Sequence, residues 1–117
     1  MELSAETFFK ALADPTRLRS LMLLVQEGEL CVCELMCALD IIQPKISRHL
    51  AQLREAGIVS TRREGQWIYY RLHKNLPAWV KQVLKATAKG VAGQAPFADD
   101  RQALVDMPDR PGASCCA

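Results

Sequence analysis

The hydrophobic period of this chain changes twice, and those changes limit its fold more tightly than any other feature. Apolar residues first recur at i, i+3, i+4 and i+7, the spacing of amphipathic helices. Ala5, Phe8, Phe9 and Leu12 form one such stripe, with Ser4 placed to cap it. Asp14-Pro15 reads as the cap and first position of a second helix, whose stripe is Leu18, Leu21, Met22 and Val25 and which Gly28 ends. A short third helix carries Val32, Leu35, Met36 and Leu39. Cys31 and Glu34 have the spacing of a capping box, with a thiol in the hydroxyl's place. Gln43-Pro44 opens a fourth helix with Ile46, Leu50 and Leu53 inward, closed by Gly57. The period then drops to that of a strand. IVSTRR and WIYYRL flank the turn Glu64-Gly65-Gln66 as a β-hairpin. Pro77 starts a last helix with Trp79, Val80, Val83, Leu84 and Thr87 on one side.

The order α-α-α-α-β-β-α, mainly helical with one hairpin, predicts a winged helix-turn-helix. At 117 residues the chain has room for one core. Beyond Gly90, glycine and proline interrupt every pattern, although 97–105 could form a short helix. The expected organisation is a domain over residues 1–90 and a mostly flexible tail over 91–117 carrying Cys115 and Cys116. The longest apolar run, Leu21 to Val25, cannot span a bilayer, and the N-terminus has no signal-peptide pattern. A cytoplasmic protein without a membrane partner is the expectation.

Charge is distributed to match that fold. Residues 41–75 hold seven basic and two acidic side chains, whereas the remainder holds eight and eleven. A basic segment within an otherwise acidic chain is the footprint of a polyanion-binding surface. At about 100° per residue, Lys45, Arg48 and Gln52 fall on the outer face of the fourth helix, with Gln43, Ser47 and His49 near its N-terminal end. Arg62 and Arg63 precede the hairpin turn, where a wing meets flanking phosphates or the minor groove. These eight residues are the candidate contacts to double-stranded operator DNA.

Five cysteines, Cys31, Cys33, Cys37, Cys115 and Cys116, form an odd set unsuited to a disulfide scaffold in a reducing compartment. Thiolates in such density favour soft ions. Cys33 and Cys37 are i, i+4 neighbours, roughly 5–6 Å apart at Cβ on a helix, and fall outside the apolar stripe. Cys31, at the cap, can fold back over the first turn, where the helix N-terminus favours thiolate. Cys115-Cys116 is a second candidate donor pair.

ELCVCELMCALD, then QPKISRHLAQLREAG, then REGQWIYYRL, in that order, resembles the ArsR/SmtB family of metal-sensing repressors, and within it the arsenic-responsive members. The likeness runs from about Thr7 to Trp79. It implies a homodimer joined through the first and last helices, bound to an operator when metal-free and released when As(III) or Sb(III) acts as inducer. No cofactor is implied for DNA binding. Family arsenic sensors usually read C-x-C-x-x-C, so Cys31 and Cys33 match, while Met36 stands where the third thiol is expected and Cys37 follows it. The third ligand is then Cys37, a tail thiol or a small exogenous thiol. Relatives that sense Cd(II) or Pb(II) draw thiols from the N-terminal arm, and residues 1–9 contain none. Zinc sensors use His and carboxylates on the last helix, and residues 77–90 have no His, Asp or Glu. A repressor that responds to Cd(II)/Pb(II) or to thiol oxidation is the alternative within the fold. A thiol enzyme is disfavoured because no acid–base cluster accompanies the cysteines.

Overall fold

The computed structural model describes residues 3–107. Its helices are α1 (Ala5–Leu12), α2 (Pro15–Glu27), α3 (Val32–Leu39), α4 (Gln43–Glu55), α5 (Ala78–Val91) and α6 (Phe97–Val105). Its strands are β1 (Glu29–Cys31), β2 (Val59–Glu64) and β3 (Trp67–Leu72). The helix starts follow local chemistry. Ser4 Oγ accepts the Thr7 N–H at 3.1 Å, and Asp14 Oδ2 accepts the Arg17 N–H at 3.0 Å, each satisfying a donor that the first turn leaves open. Pro15 and Pro44 occupy first-turn positions, where a missing N–H costs nothing.

Helix α2 is the centre of the packing. Leu21, Met22, Leu23 and Leu24 are consecutive and all buried, so the helix is covered on every side rather than along one stripe. That is why Leu23 and Leu24 join the expected Leu21 and Met22, while Leu18 and Val25 are only partly covered. Phe8 of α1, Ile46, Leu50 and Leu53 of α4, and Val80 and Leu84 of α5 close the core around it. Phe8 meets Trp79 edge-on at 5.4 Å between ring centres. Phe9 remains 51% exposed beside Trp79, leaving an aromatic patch shared by α1 and α5.

The hairpin of β2 and β3 is antiparallel, with Glu64 opposite Trp67 across a two-residue turn. Gly65 holds φ +63° there, a conformation that side-chain-bearing residues rarely adopt. A third strand joins it. The sequence reading missed β1, which pairs with β3 (Cys31 opposite Tyr69) to give the order β1-β3-β2. Three residues are too few to show a period, and only the partner strand makes them extended. The architecture is a winged helix-turn-helix, with α3 and α4 as the paired helices and β2–β3 as the wing. No described helix is long and apolar enough to cross a membrane.

The packed body does not stop near residue 90. Helix α6 lies on α2 and α3, with Leu104 and Met107 buried. Asp100, 3% exposed, accepts two hydrogen bonds from Arg19 at 2.7 and 2.9 Å, and Arg19 also donates to the Leu39 carbonyl. One guanidinium thus joins α2, α3 and α6. This corrects the expected start of the tail at residue 91, because a long-range ion pair and an apolar anchor outweigh the glycine and proline between the helices. Leu104→Ala should lower the unfolding free energy in urea by about 2–5 kcal/mol, the usual cost of a buried leucine. Val105→Ala, at a 71% exposed site, should change it by less than about 0.5 kcal/mol.

Candidate DNA-binding face and thiol cluster

Ile46, Leu50 and Leu53 pin α4 to the core, which leaves Gln43, Lys45, Arg48, Gln52 and Arg54 exposed on its outer side. Ser47 and His49 lie at the edge, partly covered. Two residues of this face also turn inward. Gln52 Oε1 accepts from Arg17 Nη1 at 2.7 Å, and His49 Nδ1 lies 3.3 Å from the same nitrogen and 3.7 Å from Asp14 Oδ2. Burial tends to raise the Asp14 carboxyl, but the Arg17 N–H it accepts, with His49 and the Arg17 side chain nearby, holds it below its ordinary 3.8.

On the wing the two arginines part company. Arg63 is exposed. Arg62 is engaged with protein: its Nη2 donates to Glu29 Oε1 at 2.6 Å, its Nε to Glu29 Oε2 at 3.1 Å and its Nη1 to Glu64 Oε2 at 3.1 Å. The guanidinium carbon stands 4.6 Å from the centre of the Tyr69 ring. These contacts raise the Arg62 pKa and fasten the wing to β1. Strand alternation explains the difference, since Arg62 and Arg63 point to opposite faces of β2.

The cysteines are distributed over α3. Cys31 is both the last residue of β1 and the cap of α3, and it is 2% exposed. Its backbone N–H donates to Glu34 Oε1 at 2.8 Å, completing the expected capping box with a thiol. Cys33 is buried and Cys37 exposed. The expectation that both lie outside the apolar stripe holds for Cys37, whereas Cys33 is part of the buried core. Cys33 and Cys37 line one open hollow of about 330 Å³ with Met36, Asp40, Ile41 and Ile42, and Cys31 is not part of it. Cys33 is disulfide-bonded, so it becomes a thiolate donor only on reduction. Among the described residues, no three His, Cys, Asp or Glu side chains are gathered closely enough to hold an ion. Cys115 and Cys116 lie outside the described residues.

Sequence reading missed Arg17 and Glu29. Their partners on α4 and β2 lie more than thirty positions away along the chain, so no local pattern marks them. The bond from Arg62 holds the Glu29 carboxyl below its ordinary 4.5, with burial opposing. A carboxyl lowered in the folded state stabilises above its unfolded value, and that stabilisation is lost as pH falls through the folded value. Glu29, followed by carboxyl-detected NMR, should therefore titrate below 4.5, and Arg62→Ala should raise its midpoint. A wild-type midpoint at or above 4.5 would contradict the assigned ion pair.

Comparison with known proteins follows the same lines. Residues 14–61 match the family model described as "Bacterial regulatory protein, arsR family". The chain is 56% identical over 103 residues to the arsenic resistance transcriptional regulator ArsR1 of Pseudomonas putida, covering 88% of this chain and 79% of that one. HlyU of Vibrio cholerae superposes with a TM-score of 0.66 at 36% identity, covering 73% of this chain and 88% of that one. The AntR antimony-specific transcriptional repressor superposes with a TM-score of 0.61 at 28% identity, covering 78% and 85%. A winged helix-turn-helix, a basic outer face on α4 and a relative of this identity over most of both chains lead to one conclusion: the chain belongs to the arsR family of bacterial regulatory proteins.

Proposed function

We propose that this chain is an arsenite- and antimonite-responsive transcriptional repressor. It binds operator DNA as a metal-free homodimer and leaves it when As(III) or Sb(III) is held by cysteine thiolates. The observation that carries the reading is the double duty of Cys31, which caps the helix that leads directly into α4 while being the first thiol of the Cys31, Cys33, Cys37 sequence pattern. Soft, three-coordinate metalloids favour thiolates over imidazole or carboxylate. The relative named for arsenic resistance and the structural neighbour named for antimony support the choice of signal.

In this reading Cys31 and Cys33 are two ligands, and Cys37 or a tail thiol, Cys115 or Cys116, is the third. Because Cys31 is buried and Cys37 exposed, gathering them requires the first turn of α3 to move. That movement breaks the bond between the Cys31 N–H and Glu34 and shifts the helix against which α4 packs. Gln43, Lys45, Ser47, Arg48, His49 and Gln52 face the major groove, and Arg63 meets the backbone beside it. Arg62 acts mainly by holding the wing. The half-exposed Phe9 and Trp79 suit a two-fold interface through α1 and α5.

The test is fluorescence anisotropy of the reduced protein on its upstream promoter DNA, with arsenite, antimonite, Cd(II) and Zn(II) titrated in parallel. Arsenite should weaken binding by about 5–150-fold, the range of ordinary allosteric coupling, and Zn(II) should do nothing. Cys31→Ser supplies the usual capping hydroxyl, so it should keep DNA binding and lose the response. Unchanged release of that variant by arsenite would refute the ligand assignment. The disulfide at Cys33 favours a second reading, in which oxidation is the signal. Release by peroxide and reversal by dithiothreitol, with arsenite inert, would select it.

A further inference from the structure

The recognition surface is edited from behind by a residue on another helix. Arg17, in the first turn of α2, donates from Nε to the Ala11 carbonyl at 3.0 Å and from Nη2 to the Lys10 carbonyl at 3.3 Å. Both acceptors belong to the C-terminal end of α1, where the Lys10 carbonyl also accepts the Ala13 N–H at 3.2 Å. Its Nη1 has two hydrogens, and they point at α4: Gln52 Oε1 stands at 2.7 Å and His49 Nδ1 at 3.3 Å. One guanidinium therefore ties the α1–α2 corner to the middle of α4.

A guanidinium only donates, so whatever it meets must accept. The Gln52 amide must turn its carbonyl oxygen inward, leaving its NH2 on the outer side. His49 Nδ1 stands between that guanidinium and Asp14 Oδ2, at 3.3 and 3.7 Å, so its role follows its tautomer, and Gln52 is the side chain whose orientation the guanidinium fixes. Gln52 thus spends its acceptor on Arg17 and keeps its donors for solvent. Lys45 and Arg48 on the same exposed side are donors by nature.

We propose that Arg17 is a specificity-determining positioning residue: by holding the Gln52 carbonyl oxygen it leaves Gln52 only its NH2 to offer outward, matched to guanine O6 and N7 and to phosphate oxygens. An unencumbered glutamine reads adenine by accepting from N6 while donating to N7. With its oxygen held by Arg17, Gln52 loses that option. The proposal rests on the reading of α4 as the DNA-contacting helix.

The experiment is selection from a random duplex library by the reduced full-length chain and by its Arg17→Met, Arg17→Lys and Gln52→Glu variants. Circular dichroism confirms that each variant is folded. Wild type should select guanine at one position of each half-site. Arg17→Met and Arg17→Lys should admit adenine there, with the preference for guanine reduced at least about fivefold. Gln52→Glu keeps an acceptor for Arg17 but removes the outward NH2, so it should bind the wild-type duplex about tenfold more weakly.

Unchanged base preference in a folded Arg17 variant would overturn the proposal. So would a uniform loss on all sequences with a salt slope smaller by about one, which would make Arg17 a phosphate contact. Should both Arg17 variants fail to fold, full-strength binding by Gln52→Glu would overturn it. Failure of the wild type to bind or select any duplex would remove the reading of α4 itself, a result distinguishable from the others.

Discussion

Burial of α2 is the constraint on which the rest of the molecule depends. Four consecutive buried residues, Leu21 to Leu24, need apolar cover on all sides, and the surrounding helices and sheet supply it. The cover leaves few ways to arrange the remaining elements. Helix α4 is fixed by three fully buried side chains, so its polar outer side is presented at a set angle. Interiors packed this densely transmit displacement rather than absorb it. Helix α3 touches both α2 and α4, so the proposed response has a short path to the proposed DNA-contacting helix.

Cys31 shows how closely structural and chemical roles overlap. The residue ends β1, caps α3 and fills part of the core. A thiol is a weaker capping acceptor than a hydroxyl, yet it is a much better ligand for soft ions. The box is completed by Glu34, whose buried carboxylate accepts the Cys31 N–H. Such a cap is stable enough to start a helix and is built from the group that a soft ion would claim. The conflict between those two uses of one sulfur is the physical basis of the proposed switch.

Polar clasps across the molecule have a common logic. Arg19 joins α2, α3 and α6; Arg62 joins the wing to β1; Arg17 joins the α1–α2 corner to α4. In each case the planar fork of donors meets several acceptors at once, which lysine cannot do. A count of positive charge over 41–75 treats Arg62 and Arg63 alike, yet only Arg63 has its guanidinium turned away from carboxylate partners. The basic surface left exposed is thus smaller than composition suggests.

Local patterns in the sequence were sufficient for the helices α1 to α5, the hairpin and their order, because capping, helical stripes and turn glycines act within a few residues. They also marked the outer face of α4 and the capping box at Cys31. The strand β1, the docking of α6, the burial of Cys33 and the inward bonds of His49 and Gln52 were decided by tertiary structure alone. Three of these have a clear partner far along the chain: β3 for β1, Arg19 for α6 and Arg17 for α4. A one-dimensional period reports which side of an element is apolar. It carries no record of what comes to lie against the other side, and in this protein that second contact fixes how Gln52 is turned on α4.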